Sequence, residues 1–200
     1  FQLMVPLDYK SVAREQARLI LVLDRYTANL PWEMLYADGE ALVLRYPLIR
    51  QLATARYRTR VRTAVGNSAC IIANPDTTGF KKRFRSRLER LDSLSGAELE
   101  GTAVEASLRK AQWHDIVSPP AGRGALDILN ALYRRPYRLL VIAAHGLCDA
   151  EAWDGRRYTG VVLSDGLMLT AVEISQMEIV PEVVFLSCCH LGVTESAYSK

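Results

Sequence analysis

Leu139-Leu140-Val141-Ile142-Ala143-Ala144-His145-Gly146 decides how this chain is read. It is an apolar run of strand length that stops abruptly at an imidazole. A second run, Val183-Val184-Phe185-Leu186-Ser187-Cys188-Cys189-His190, stops in the same way at a thiol. Unbroken Val, Ile and Leu suit strands covered on both faces, as in a parallel sheet with helices on each side. In open sheets of that kind the carboxyl ends of the strands line the ligand crevice. If the two runs are neighbouring strands, His145 and Cys189 emerge together at that edge. A thiol beside an imidazole is the minimum equipment for nucleophilic catalysis.

Working outward, the same strand and helix rhythm recurs. Ser68–Ala73 reads as a further apolar strand, closed by the turn Asn74-Pro75-Asp76. Residues 95–108 carry apolar positions at helical spacing, Ile116-Val117 is a short strand, and Gly124–Tyr133 is the clearest amphipathic helix. That helix leads directly into the His145 strand. Between the two reactive ends, Ser164-Asp165-Gly166 sits among alternating apolar residues and predicts a hairpin. Thr170 then predicts a helix cap over 171–177, with Glu173 placed for a capping box. Alternation of this kind builds a parallel sheet through crossover connections.

Nearer the start, Arg18–Asp24 reads as a buried strand, and Pro31 stands in the first turn of a short helix that Asn29 could cap. Asp38-Gly39 is a turn, 41–46 resumes as strand, and a weak pattern over 48–58 suggests helix. Residues 1–17 form a lead-in segment with helical character over 11–17, and 18–200 form the main domain. The basic stretch Lys81-Lys82-Arg83-Phe84-Arg85-Ser86-Arg87 reads first as a solvated face, and second as a docking patch for an acidic partner.

Composition removes several function classes. An apolar fraction of 50% and a charged fraction of 24% are those of an ordinary globular protein, and a net charge of +3 is too small to imply nucleic-acid binding. No apolar run reaches the roughly 18–20 residues of a membrane helix, and no secretory leader pattern opens the chain. Cys70, Cys148, Cys188 and Cys189 are not spaced as a disulfide framework, which favours a reducing, cytoplasmic setting. The chain opens at Phe1, not at a methionine, and is expected to be part of a longer protein.

The order of these motifs resembles the CHAT domain, a branch of the caspase-like peptidases. Ala143-Ala144-His145-Gly146 is similar to the family's His-Gly strand end, and Leu186-Ser187-Cys188-Cys189 to its Leu-Ser-Ala-Cys nucleophile strand. Gly160–Gly166 followed by Leu169–Ile174 resembles its hairpin-then-helix segment, and Leu30–Leu35 and Ala97–Glu100 resemble weaker signatures. The resemblance implies a three-layer α/β/α sandwich with a mostly parallel central sheet. It also implies a cysteine endopeptidase acting on a protein substrate without a cofactor, under control of a regulatory or sensor domain or subunit. In caspases the histidine stands about 50 residues before the cysteine, and the 44 found here is compatible.

Two departures carry consequences. Cys188 replaces the usual alanine, and His190 replaces the usual acidic residue. Cys189-His190-Leu191-Gly192 is instead similar to the Cys-His-x-Gly run of metacaspases. Those enzymes carry an aspartate two residues before the cysteine; here that position is Ser187, so a basic P1 preference is not implied. Because Lys200 follows Cys189 so soon, the family's C-terminal strands and helices are expected to be missing.

His145 and Cys189 are therefore the expected catalytic pair. Gly146, which lets its backbone N–H approach closely, joins the N–H of Cys189 as an expected oxyanion donor. No third residue is evident to orient the imidazole. Cys188 should point away from Cys189, because strand side chains alternate, and is expected to be a packing residue. A zinc site built from His145, Cys148, Cys189 and His190 lacks ligand spacing that specifies one. A caspase-like module that binds partners without catalysis is the other alternative. Asp149, Asp154 and Asp165 are acidic candidates for contact with a substrate side chain.

Overall fold

A computed structural model describes residues 18–24, 26–28, 30–37, 39–53 and 61–189. They divide into two compact units, within Phe1–Tyr57 and within Arg58–Gly192. The lead-in segment, Asn29, residues 54–58 and His190 lie outside the described residues.

The first unit contains β1 (Leu19–Leu23), a hairpin of β2 (Tyr36–Ala37) and β3 (Glu40–Ala41), the single helical turn α1 (Leu42–Arg45), and β4 (Leu48–Leu52). Pro31 caps a 3-10 turn at Trp32–Met34, whose indole donates to the Thr27 carbonyl at 2.7 Å. Gly39, at φ +89°, supplies the left-handed residue that closes the hairpin.

Three expectations are corrected here. The segment at 18–24 is a strand, but Ile20 and Val22 are exposed and only Leu23 is buried, since among the described residues its sheet has just two strands. Residues 42–45 form a helical turn and 48–52 form a strand, the reverse of what the local pattern suggested. The reason is tertiary. β4 runs parallel to β1, from Leu19 opposite Leu48 to Leu23 opposite Leu52, and a parallel partner requires the chain to cross over first.

The second unit is built on a parallel sheet in which Val183–Cys188, Leu139–Ala144, Ser68–Ala73 and Asp115–Val117 lie side by side in that order. In chain order its elements are β5 (Arg62–Thr63), β6 (Ser68–Ala73), α2 (Ser95–Lys110), β7 (Asp115–Val117), α3 (Ala125–Tyr133) and β8 (Leu139–Ala144). There follow β9 (Gly146–Glu151), β10 (Arg157–Val162), β11 (Met168–Thr170), α4 (Ala171–Ser175), β12 (Ile179–Val180) and β13 (Val183–Cys188).

Alternation along β6 and β8 gives each face its own helix. Cys70, Ile72, Leu140 and Ile142 pack with Ile128 and Leu132 of α3. On the other face Ile71 and Ala73 meet α2 at Gly101, where an added Cβ would fall 2.5 Å from that of Ala73. Only glycine lets the helix lie this close. The result is the expected three-layer α/β/α arrangement around a mostly parallel sheet. Full burial of an isoleucine such as Ile71, Ile72 or Ile142 contributes roughly 1.5–3 kcal/mol.

An antiparallel sheet of order β11-β10-β9 extends from the end of β8. The expected hairpin is present, with its turn at Ser164–Gly166. Buried Ser164 accepts from the Ala125 N–H at 2.8 Å and so caps α3 from across the fold. Thr170 and Glu173 form the expected capping box on α4.

Candidate functional site

Register places the two candidate residues. Across the central strands Ala143 faces Ala73 on one side and Ser187 on the other, and one step further Ala144 faces Cys188. The strands end there. The next residues, His145 and Cys189, leave adjacent parallel strands at the same carboxyl edge, and neighbouring strands lie only about 4.8 Å apart. The sulfur and the ring make no hydrogen bond to each other among the described residues. The juxtaposition is one of backbone and register.

The four cysteines differ sharply in setting. Cys70 is fully buried in β6, and burial pushes its thiol up to about 12. Cys188 is half-buried, packs on the core, and directs its sulfur to the Ile142 carbonyl at 3.6 Å; burial also pushes this thiol up. Cys189 is exposed. The packing thiol, expected as such, closes the strand, and the accessible one stands in the turn just after it. Cys148 lies half-buried on β9, 3.9 Å from the Thr159 hydroxyl.

The imidazole of His145 has a partner that sequence reasoning missed. Its Nε2 lies 2.6 Å from the backbone carbonyl oxygen of Asp92. A carbonyl oxygen only accepts, so the proton of the neutral ring sits on Nε2 and Nδ1 keeps the lone pair. The orienting group is backbone, which any residue at position 92 would supply, and so no side-chain motif announced it. The carbonyl of His145 accepts from the Val162 N–H at 2.9 Å, which ties the strand end to β10. Gly146 is buried at the start of β9, opposite Val161.

The loop that carries Asp92 is fastened on both sides. Thr77 Oγ1 accepts from the Leu91 N–H at 2.9 Å and donates to the Leu91 carbonyl at 3.3 Å. Asn74 donates from Nδ2 to Ser93 Oγ at 2.9 Å and accepts at Oδ1 from the Leu94 N–H at 2.9 Å.

Other sequence candidates are already engaged. Asp149 pairs with Arg157 at 2.7 Å and Asp165 with Lys82 at 2.6 Å; the Lys82 ammonium holds the Asp165 carboxyl below its usual range. Asp154 accepts from the Arg156 N–H and the Tyr158 hydroxyl, and the Arg156 bond leads in holding it low. In the basic stretch, Lys81 pairs with Glu89, Arg85 pairs with Glu151, and Arg83 stacks 4.3 Å over the Tyr158 ring. Among the described residues no three His, Cys, Asp or Glu side chains converge as metal ligands, and no helix is long and apolar enough to cross a membrane.

A family model, the CHAT domain, matches residues 2–199. This chain belongs to the CHAT domain family. A search of curated proteins gave no match, and neither did a search of solved structures. CHAT domains are a caspase-like, peptidase-related family, which agrees with the mixed α/β fold and its mostly parallel central sheet.

Proposed function

We propose that this CHAT domain is a cysteine endopeptidase that cleaves a protein substrate with Cys189 as nucleophile and His145 as acid–base partner. The observation that carries the reading is the shared strand register, which brings positions 145 and 189 out side by side at one sheet edge.

The chemistry follows from those groups. His145 Nδ1 takes the thiol proton, and the thiolate sulfur attacks the carbonyl carbon of the scissile bond. The backbone N–H groups of Gly146 and Cys189 receive the negative charge that develops on the carbonyl oxygen. The imidazolium then protonates the leaving amine, giving a thioester and a free amino terminus. Water, deprotonated by the same ring, hydrolyses the thioester and restores the thiol. No cofactor enters these steps. Free thiols at Cys70, Cys188 and Cys189 support action in a reducing compartment such as the cytoplasm. Control by a regulatory or sensor domain fits an accessible thiol just after a strand that, among the described residues, lies at the sheet's edge.

The exposed apolar residues Val183, Val184, Phe185 and Leu186 favour a second reading, a caspase-like interaction module without turnover. One experiment separates them. Cys189→Ala should abolish cleavage of a protein substrate with unchanged folding, and His145→Ala should lower it on the order of 10²–10⁴-fold. Cys188→Ala should remain active. Cleavage that survives Cys189→Ala and is lost in Cys188→Ala assigns the nucleophile to the other thiol. Absence of turnover in the unmodified protein with candidate partners present supports the interaction module.

A further inference from the structure

We infer that Asn74 and Thr77 are positioning residues for His145, holding the Asp92 carbonyl where it fixes the ring's proton on Nε2. The inference rests on the peptidase reading for its consequence in turnover, but its structural content does not depend on it.

Four observations converge on Asn74. It is buried, its φ of +46° is left-handed, and every polar group it owns is used. Its N–H donates to the Ala143 carbonyl at 2.9 Å, two residues before His145, and its carbonyl accepts from the Gly122 N–H at 2.9 Å. Its side chain takes Ser93 and Leu94, immediately after Asp92. Thr77, also buried, takes both backbone groups of Leu91, immediately before Asp92. One short segment after β6 therefore fastens the strand that bears the imidazole and, on both sides, the residue that bears its acceptor.

Physical cost argues that this is more than loop closure. A non-glycine residue held at positive φ costs of order 1–3 kcal/mol, though asparagine tolerates it best. Burying an amide and a hydroxyl is costly unless each is satisfied. Here both conditions are met by bonds to the residues flanking Asp92. With the carbonyl held still, the neutral ring has one tautomer, and Nδ1 remains the nitrogen able to take a proton. With the loop loosened, the proton can reside on either nitrogen, and the ring with its proton on Nδ1 cannot act as base there.

The test uses the full-length protein with ¹⁵N-labelled histidine, His145 being assigned by its loss in His145→Gln. Asn74→Gly keeps the left-handed backbone accessible while removing the side-chain bonds. Thr77→Val removes the hydroxyl at nearly constant shape. Ser93→Ala removes only the acceptor for Asn74 Nδ2, at an exposed position, and decides the matter should the buried variants fail to fold. The unmodified protein should show the single Nε2–H tautomer. The variants should show a mixture, with kcat falling by up to roughly 10²-fold and KM little changed. Asn74→Asp, which keeps an acceptor for the Leu94 N–H, should lie between Asn74→Gly and the unmodified protein. Folded variants that retain the single tautomer and full kcat overturn the inference and leave the peptidase reading intact. A tautomer that shifts in a protein without turnover upholds the inference and removes the peptidase reading.

Discussion

The two strands that carry the candidate pair are hydrogen-bonded neighbours, yet they live in different surroundings. β8 is central, flanked by β13 and β6, and its residues Leu140–Ala144 are all buried. β13 is an edge of its sheet among the described residues, and Val183, Val184, Phe185 and Leu186 are exposed. The histidine leaves a buried strand and finds its ring already held by the Asp92 carbonyl. The cysteine leaves a strand with open flanks and stands exposed. In this pair the proposed acid–base partner is organised by the fold, while the surroundings of the proposed nucleophile are left open to whatever covers β13. An apolar edge left open is a liability that proteins usually cover.

Register gives the comparison its sharpest form. Leu186 and Ile142 face each other across the ladder, yet Ile142 is 2% exposed and Leu186 is 51% exposed. Truncation of a buried isoleucine costs about 2–5 kcal/mol, so Ile142→Ala should lower unfolding free energy by that amount in urea titrations. Leu186→Ala should cost no more than about 1 kcal/mol, since only part of its side chain leaves water on folding. Equal losses would mean that β13 is as well covered in solution as β8, and the contrast would fall.

The next expected effect is in thiol reactivity. Cys188 and Cys189 are adjacent in sequence, but the first is half-buried with its thiol pushed up by burial, and the second is exposed. Alkylation by iodoacetamide at neutral pH, mapped by mass spectrometry, should reach Cys189 at least about tenfold faster than Cys188. Cys70, buried and pushed up to about 12, should react last. Faster labelling of Cys188 would reverse the assignment of the two thiols.

The same contrast explains what could be read from sequence. β8, β6 and β13 were legible because a continuous apolar run has few other uses at that length, and both candidate residues sit where two of those runs stop. The Thr170–Glu173 box was legible because its chemistry is local. β4 was not, since Leu48, Ile49 and Leu52 suit a helix face as well as a strand, and the partner that decides is β1, far back in the chain. β9 was not, because Gly146–Glu151 lacks apolar alternation and becomes a strand by pairing with β10. The orienting group of His145 was invisible for a different reason. A backbone carbonyl carries no side-chain signature, and Asn74 and Thr77 declare themselves only through the loop they hold.

The smallest effect concerns the approach to β13. α4 has five residues and depends on its cap: Thr170 Oγ1 accepts from the Val172 N–H at 3.2 Å, and Glu173 accepts from the Thr170 N–H at 2.8 Å. Thr170→Ala should cost about 1 kcal/mol. Burial pushes the Glu173 carboxyl up, but hydrogen bonds from the Thr170 hydroxyl, from its own backbone N–H and from the Thr170 N–H together more than offset this, and the group ends below its usual range. A carboxyl lowered by folding adds stability above its unfolded value, and that contribution is lost as pH falls through the folded value. The difference between the unmodified protein and Glu173→Gln should therefore hold at neutral pH and shrink as pH drops below about 4.3. Stability curves against pH for the two proteins test this. A difference that stays constant into acid would show that the carboxylate charge contributes nothing to the cap, and that Thr170 alone shapes the turn into the strand bearing Cys189.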